Sequence, residues 1–274
     1  MQLTALRAVT DAERCFRTMD DIELTPFQRT VSEMVLDTPA PGKHCARSAM
    51  AHIQRAWVIR TVDPEMSAFR AITGEEESAT AIFHALQRRR YAGSSGLRLR
   101  DHRTKSAVIP FLDAVALTFA NLESLNLRPT LEVDTRQAQK RLQVRVTLQA
   151  SDGEEKWAYP DPPLDFTTAM DGDLDDFSDA IHALATKRGV VSLVKLIEKR
   201  ANYRNRLLYA TAGGVPKIEG PIEPLLLRRR DHIYRNLIIF LLIDQHSEHQ
   251  RFVQQTLDAF LRLIKRVPRS DNTT

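Results

Sequence analysis

The stretch whose reading decides the fold is Val190 to Ile218, VVSLVKLIEKRANYRNRLLYATAGGVPKI. Leu193, Leu196, Ile197, Leu207 and Leu208 recur at spacings of three and four, so one helical face is apolar. Lys195, Lys199, Arg200, Arg204 and Arg206 crowd the rest of the surface. Gly213, Gly214 and Pro216 are expected to stop the helix. Arg204, Asn205 and Tyr209 stand near that end. A gap of five lies about 140° round a helix, and side chains of this length can still converge across it. The pattern describes a helix that buries one face in a bundle and offers a basic face elsewhere.

A second stretch, Glu65 to Tyr91, has the same periodicity. Phe69, Ile72, Ala79, Ile82, Phe83 and Leu86 make an apolar stripe. Glu75, Glu76 and Glu77 sit in its middle. Adjacent helical residues point in different directions, so one or two of the three can face inward and the remainder are solvated. An inward Glu76 or Glu77 is expected to pair with Arg204 and hold its guanidinium fork in place.

RNRLLY at Arg204–Tyr209 resembles the Arg-Asn-x-x-x-His signature of HEPN domains, with Tyr209 where the histidine stands. The ending Leu208-Tyr209-Ala210, followed by glycines and a proline, resembles more specifically the AbiV branch, associated with abortive infection by phage. The Glu-Glu pair of the second stretch is similar to the acidic helix of that branch. The resemblance implies a small helical bundle. It also implies a metal-independent ribonuclease acting as a homodimer, with Arg204, Asn205 and Tyr209 at the catalytic site and Glu76 or Glu77 in support. No cofactor is implied.

Composition bounds these readings. The chain has 274 residues, enough for one large domain or two modest ones. Glycine is scarce and strand-type alternation is confined to one region, so the class is mainly α. The 39 basic residues exceed the 35 acidic ones only slightly, which permits a nucleic-acid partner without requiring one. Cys15 and Cys45 make no disulfide framework and read as reduced thiols of a cytoplasmic protein. Asp11, Glu13, Asp20 and Asp21 leave no apolar leader at the N-terminus. The apolar run Leu237–Ile243 is far short of the ~20 residues that cross a bilayer, so no membrane association is expected.

Helices are expected over about 10–36, with a fresh start at Thr25-Pro26, then over 43–62, and again from the N-cap signal Asp63-Pro64-Glu65. A basic loop follows, with Arg88, Arg89, Arg90, Arg98, Arg100, Arg103 and Lys105 against the single acid Asp101. Such a loop suits a phosphate backbone, and Arg200 and Arg206 extend the RNA-binding set. His102, within it, is the titratable group that Tyr209 does not supply. A solvated surface is the alternative for all of them.

Residues 105–122 read as another amphipathic helix. Residues 129–168 alternate with period two and carry an Asp152-Gly153 turn, which marks a small antiparallel β-insert. It divides a helical domain of residues 1–128 and 169–268. Asp171, Asp173, Asp175 and Asp176 are expected to begin a helix reaching Lys187. They do not make a calcium loop, because Gly172 is misplaced and His182 occupies the twelfth position. A long helix over 225–249 and a last one over 251–267 close the chain. The long helix repeats the dipeptide as Arg235-Asn236, with Phe240 in the fifth place, and its apolar run 237–243 belongs in the centre of the bundle or in a dimer interface. Residues 269–274 are a polar tail, expected to be disordered. His44, Cys45 and His52 lack the spacing of a metal site, and no glycine-rich phosphate loop follows a strand.

Cleavage of RNA without metal needs a base for the 2′-hydroxyl, a cation for the phosphorane and an acid for the leaving 5′-oxygen. Arg204 suits the second role. A tyrosine, with a reference pKa of about 10, fits an acid better than a base. Two readings therefore stand: a HEPN-type endoribonuclease or RNA-targeting toxin, and a catalytically degenerate HEPN protein that binds RNA or regulates a protein partner.

Overall fold

The structure, a computed structural model, describes residues 21–119, 127–136, 139–149, 154–170, 172–210 and 214–267. Eight helices are present among them: α1 (Pro26–Leu36), α2 (Gly42–Val58), α3 (Pro64–Arg88), α4 (His102–Thr118), α5 (Ser178–Lys187), α6 (Leu193–Arg206), α7 (Glu223–Asp244) and α8 (Arg251–Lys265). The fold is mainly α, as its periodicity implies.

Helices α1 and α3 each start where a side chain makes a cap. Thr25 accepts from the Gln28 amide, and the Gln28 side chain answers by accepting from the Thr25 amide, a reciprocal capping box ahead of Pro26. Asp63 accepts from the Met66 amide at 2.9 Å, with Pro64 in the first turn of α3. The expected start within residues 10–20 lies outside the described residues.

The bundle is built round α3, which packs chiefly against α2 and α7. Small residues permit the close approach. Ala46, Ala49 and Ala56 of α2 and Ala68, Ala71, Ala79 and Ala81 of α3 are all fully buried. At Gly74 the backbones come so close that a Cβ would stand 2.9 Å from Ile233 Cδ1 and 3.1 Å from the Ala49 carbonyl oxygen. The apolar run of α7 is central in the bundle, with Leu237, Phe240 and Leu241 wholly enclosed within this chain.

The β-insert is a three-stranded antiparallel sheet: β1 (Leu127–Asp134), β2 (Arg141–Gln149) and β3 (Glu155–Ala158), in the order β1-β2-β3. It starts at Leu127, slightly earlier than the alternation suggests, and its expected turn at Asp152-Gly153 is outside the described residues. Leu142 anchors it. The Leu142 side chain is fully buried, and its amide donates to Gln245 Oε1 at the end of α7. Trp157 on β3 is exposed.

Several boundaries differ from expectation. The region of Asp171–Lys187 is not one helix. Asp173–Leu174 pair as β5 with Ala169–Met170, β4. Asp175 and Asp176 accept from the amides of Phe177 and Ser178, so the acids shape a turn before α5. The helix over 43–62 ends at Val58, and the one over 225–249 runs Glu223–Asp244. A further difference concerns the basic loop. Asp101 accepts from the Arg103 amide and the Thr104 hydroxyl, which starts α4 at His102. His102, Arg103 and Lys105 are therefore helical. No helix among the described residues is long and apolar enough to cross a membrane.

Candidate functional site

Two glutamates in mid-α3 are buried side by side. Glu75 is 5% exposed and Glu76 is 3% exposed, so the expectation that at most one or two face inward is met at its upper limit. Neighbours on a helix can both be buried here because α2 and α7 flank α3 while α4 also packs against it. Buried carboxylates need partners. Each glutamate has its own set.

Glu75 is enclosed by cations from two helices. Its Oε2 accepts from Arg200 Nη2 of α6 at 2.9 Å and from Arg229 Nη1 of α7. Its Oε1 is 2.5 Å from His232 Nδ1. Arg229 and His232 are three apart on α7 and so share a face. Burial alone would push this carboxyl upward. The Arg229 and Arg200 guanidiniums and the His232 hydrogen bond outweigh it and hold the carboxyl at about 2.

Glu76 meets a different group. Its Oε2 is 2.6 Å from His102 Nδ1 of α4, 3.8 Å from Arg204 Nε of α6 and 3.9 Å from Lys105 Nζ. Only the histidine contact is a hydrogen bond. Its Oε1 is buried and has no hydrogen-bond partner among the described residues. Beside the two carboxylates lies a void of about 10 Å³, lined in part by Lys105, Ser106 and Ile109, which has room for about one water. His102 keeps 48% of its side chain exposed, so the ring reaches from the buried carboxylate to the surface. Arg204 lies with its guanidinium carbon 4.7 Å from the Phe69 ring centroid and is largely covered. Arg200, Arg204, Arg229 and Lys105 are four cations against two carboxylates, so the site is net positive.

The expected pairing of Arg204 with Glu76 is thus a close ionic approach rather than a hydrogen-bonded fork. Glu77 is not part of it: its charge acts on Cys45 and His84, and burial first, then Glu77, push the Cys45 thiol up to about 11. The reading of Tyr209 as a residue of the motif helix is corrected. Helix α6 ends at Arg206, before the glycines. Leu207 turns inward, the Leu208 and Tyr209 amides both donate to the Asn205 carbonyl, and Tyr209 projects outward, 66% exposed. The helical-face argument therefore does not bring Tyr209 to Arg204. Asn205 is exposed on the last turn of α6.

Among the other basic residues, Arg98, Arg100 and Arg206 are exposed. Arg88 is committed to Asp244, through its carboxylate at 2.8 Å and its carbonyl at 2.6 Å. Lys105 is buried toward Glu76, and the partly covered Arg200 turns to Glu75. In the second Arg-Asn pair, Arg235 binds Asp113 and Asn236 donates to Ser78 Oγ within the core. Sequence reasoning missed Arg229 and His232. The signal was the charged run Arg228-Arg229-Arg230-Asp231-His232 on an otherwise apolar helix. Among the described residues no group of three or more His, Cys, Asp or Glu side chains is arranged to hold a metal ion.

No family model matches the chain, and no curated protein or solved structure matches it.

Proposed function

We propose that this chain is a HEPN-type, metal-independent endoribonuclease or RNA-targeting toxin of the cytosol, with a role in anti-phage defence, and that it acts as a homodimer. The observation that supports it is one carboxylate oxygen, Glu76 Oε2, approached by both His102 and Arg204. An imidazole that donates through Nδ1 leaves Nε2 as a proton acceptor. Histidine exchanges protons near neutral pH, so His102 takes the role that the family motif assigns to the residue at Tyr209. Its Nε2 removes the proton of the 2′-hydroxyl, and the resulting oxygen attacks phosphorus. Arg204 and Lys105 stabilise the charge that develops on the phosphorane. Glu76 holds the ring and stabilises the imidazolium that forms, as an orienting carboxylate does in other acid–base pairs. The leaving 5′-oxygen takes its proton from water, and Tyr209, exposed beyond the end of α6, is left to position the RNA.

The test is cleavage of total cellular RNA by purified protein in excess EDTA. Wild type is expected to cleave, and Arg204→Ala and His102→Ala are each expected to lose roughly 10²–10⁴-fold. Cleavage that survives Arg204→Ala sinks the proposal. Loss in Arg204→Ala with full activity in His102→Ala keeps the arginine and removes the histidine from the mechanism.

The second reading is a degenerate HEPN protein that binds RNA or a regulatory partner without cleaving. The ion pairs that already occupy Arg200 and Arg229 favour it. It predicts RNA binding that weakens steeply with salt and needs Arg98, Arg100 and Arg206, with no cleavage at any pH.

A further inference from the structure

Away from the glutamates, α3, α4, α7 and α8, with Leu164, line a half-open apolar cleft of about 270 Å³. Its walls are apolar. Phe83 of α3, Phe111 and Val115 of α4, Leu242 of α7, and Val253 and Phe260 of α8 are representative. An engineered apolar cavity of roughly 150 Å³ already stays dry and takes up benzene, so this space is large enough for an organic ligand. Its walls are themselves well packed. Phe111 and Phe83 hold Phe260 with ring centroids 5.3 and 6.1 Å away, and these lining side chains are buried on their far sides.

Among the described residues the lining has one charged side chain, Arg235. Its Nη1 donates to Asp113 Oδ1 at 2.8 Å, its Nη2 to the Ile109 carbonyl at 3.4 Å, and its Nε is buried without an acceptor. Asp113 also pairs with Arg188 at 3.4 Å. Two guanidiniums share one carboxylate, which leaves a positive charge at one end of an apolar space. Thr256, the other polar residue of the lining, spends its hydroxyl on the Phe252 and Val253 carbonyls.

We propose that this cleft binds an aliphatic carboxylate of medium chain length, with the chain among the phenylalanines and the carboxylate on Arg235. The apolar walls supply affinity in proportion to the area they cover, and the guanidinium supplies preference for an anion. The site is separate from the RNA-cleavage reading, and its test needs no activity.

The full chain is titrated with decanoate, decanol and decyltrimethylammonium below their micellar concentrations, by calorimetry and by displacement of an apolar fluorescent probe. Saturable one-to-one binding of decanoate is expected, at least about tenfold tighter than the ammonium compound. Arg235→Gln is expected to weaken decanoate by about tenfold and leave decanol unchanged. Val253→Phe, which fills part of the space, is expected to weaken both, with circular dichroism confirming that it folds. The proposal is overturned if folded wild type shows no saturable binding, as when the chain's own residues occupy the space. It is equally overturned if the ammonium compound binds as tightly as decanoate, or if Arg235→Gln leaves decanoate unaffected.

Discussion

Glu75 and Glu76 are neighbours in sequence and equally buried, yet their surroundings differ in kind. Glu75 has both oxygens in hydrogen bonds, to Arg200, Arg229 and His232. It ties α3 to α6 and α7, and among its cations Arg200 keeps a buried Nε without a partner among the described residues. Glu76 has one oxygen with a single true hydrogen bond and two looser cations, and one oxygen with none. A buried carboxylate with both oxygens bonded locks a fold in one arrangement. An incompletely satisfied one keeps bonding capacity for something else, which is why the candidate chemistry is read at Glu76 and the architecture at Glu75.

The contrast is open to attack by substitution. Glu75→Ala should have the largest effect, because it leaves two guanidiniums buried without their anion. A loss of roughly 3–5 kcal/mol in a urea melt is expected. Next comes acid. The Glu75 carboxyl sits at about 2 against an ordinary 4.5. A depressed value means the stabilisation is complete above about pH 4.5 and is lost as pH falls toward 2. It amounts to ~3 kcal/mol, and the dependence should flatten in Glu75→Gln. Glu76→Gln should cost only about 1 kcal/mol, since the amide keeps the bond to His102, while RNA cleavage falls by about two orders of magnitude. Equal destabilisation by the two glutamate changes would erase the distinction. Tyr209→Phe should be smallest, within about 0.5 kcal/mol in stability, as expected of an exposed side chain outside any helix.

How much of this could be read beforehand follows from distance along the chain. The caps at Thr25 and Asp63 are local chemistry and were legible, as were the paired strands around Arg141–Gln149. The stretch Val190–Ile218 showed a basic helix but not its end. No glycine or proline stands at Leu207; the stop comes from Leu207 packing inward and drawing the last carbonyls into a tighter turn. The acids before α5 looked like helix-dipole partners. They are used by backbone amides of a turn whose Phe177 adopts φ 62°, which no local pattern announces. Burial of both glutamates was hidden for a different reason. Their partners come from positions such as Arg200 and Arg229, more than a hundred residues onward, so only the assembled bundle brings them together. His102 was visible as a titratable group near the basic run, but its orientation depended on Asp101 capping α4.

Gly74 directly precedes the two glutamates in α3. A glycine inside a long helix costs about 1 kcal/mol relative to alanine, so its presence needs a packing reason, and the Ile233 and Ala49 contacts supply one. Those contacts set how deeply the middle of α3 sinks between α2 and α7, and therefore whether Glu75 and Glu76 arrive at their cations at all. The triplet Gly-Glu-Glu then acts as an address in the sequence. Among descendants of this chain, drift at Gly74 should be the rarest of changes in α3, and a lineage that loses the glycine should lose the acidic pair soon afterwards.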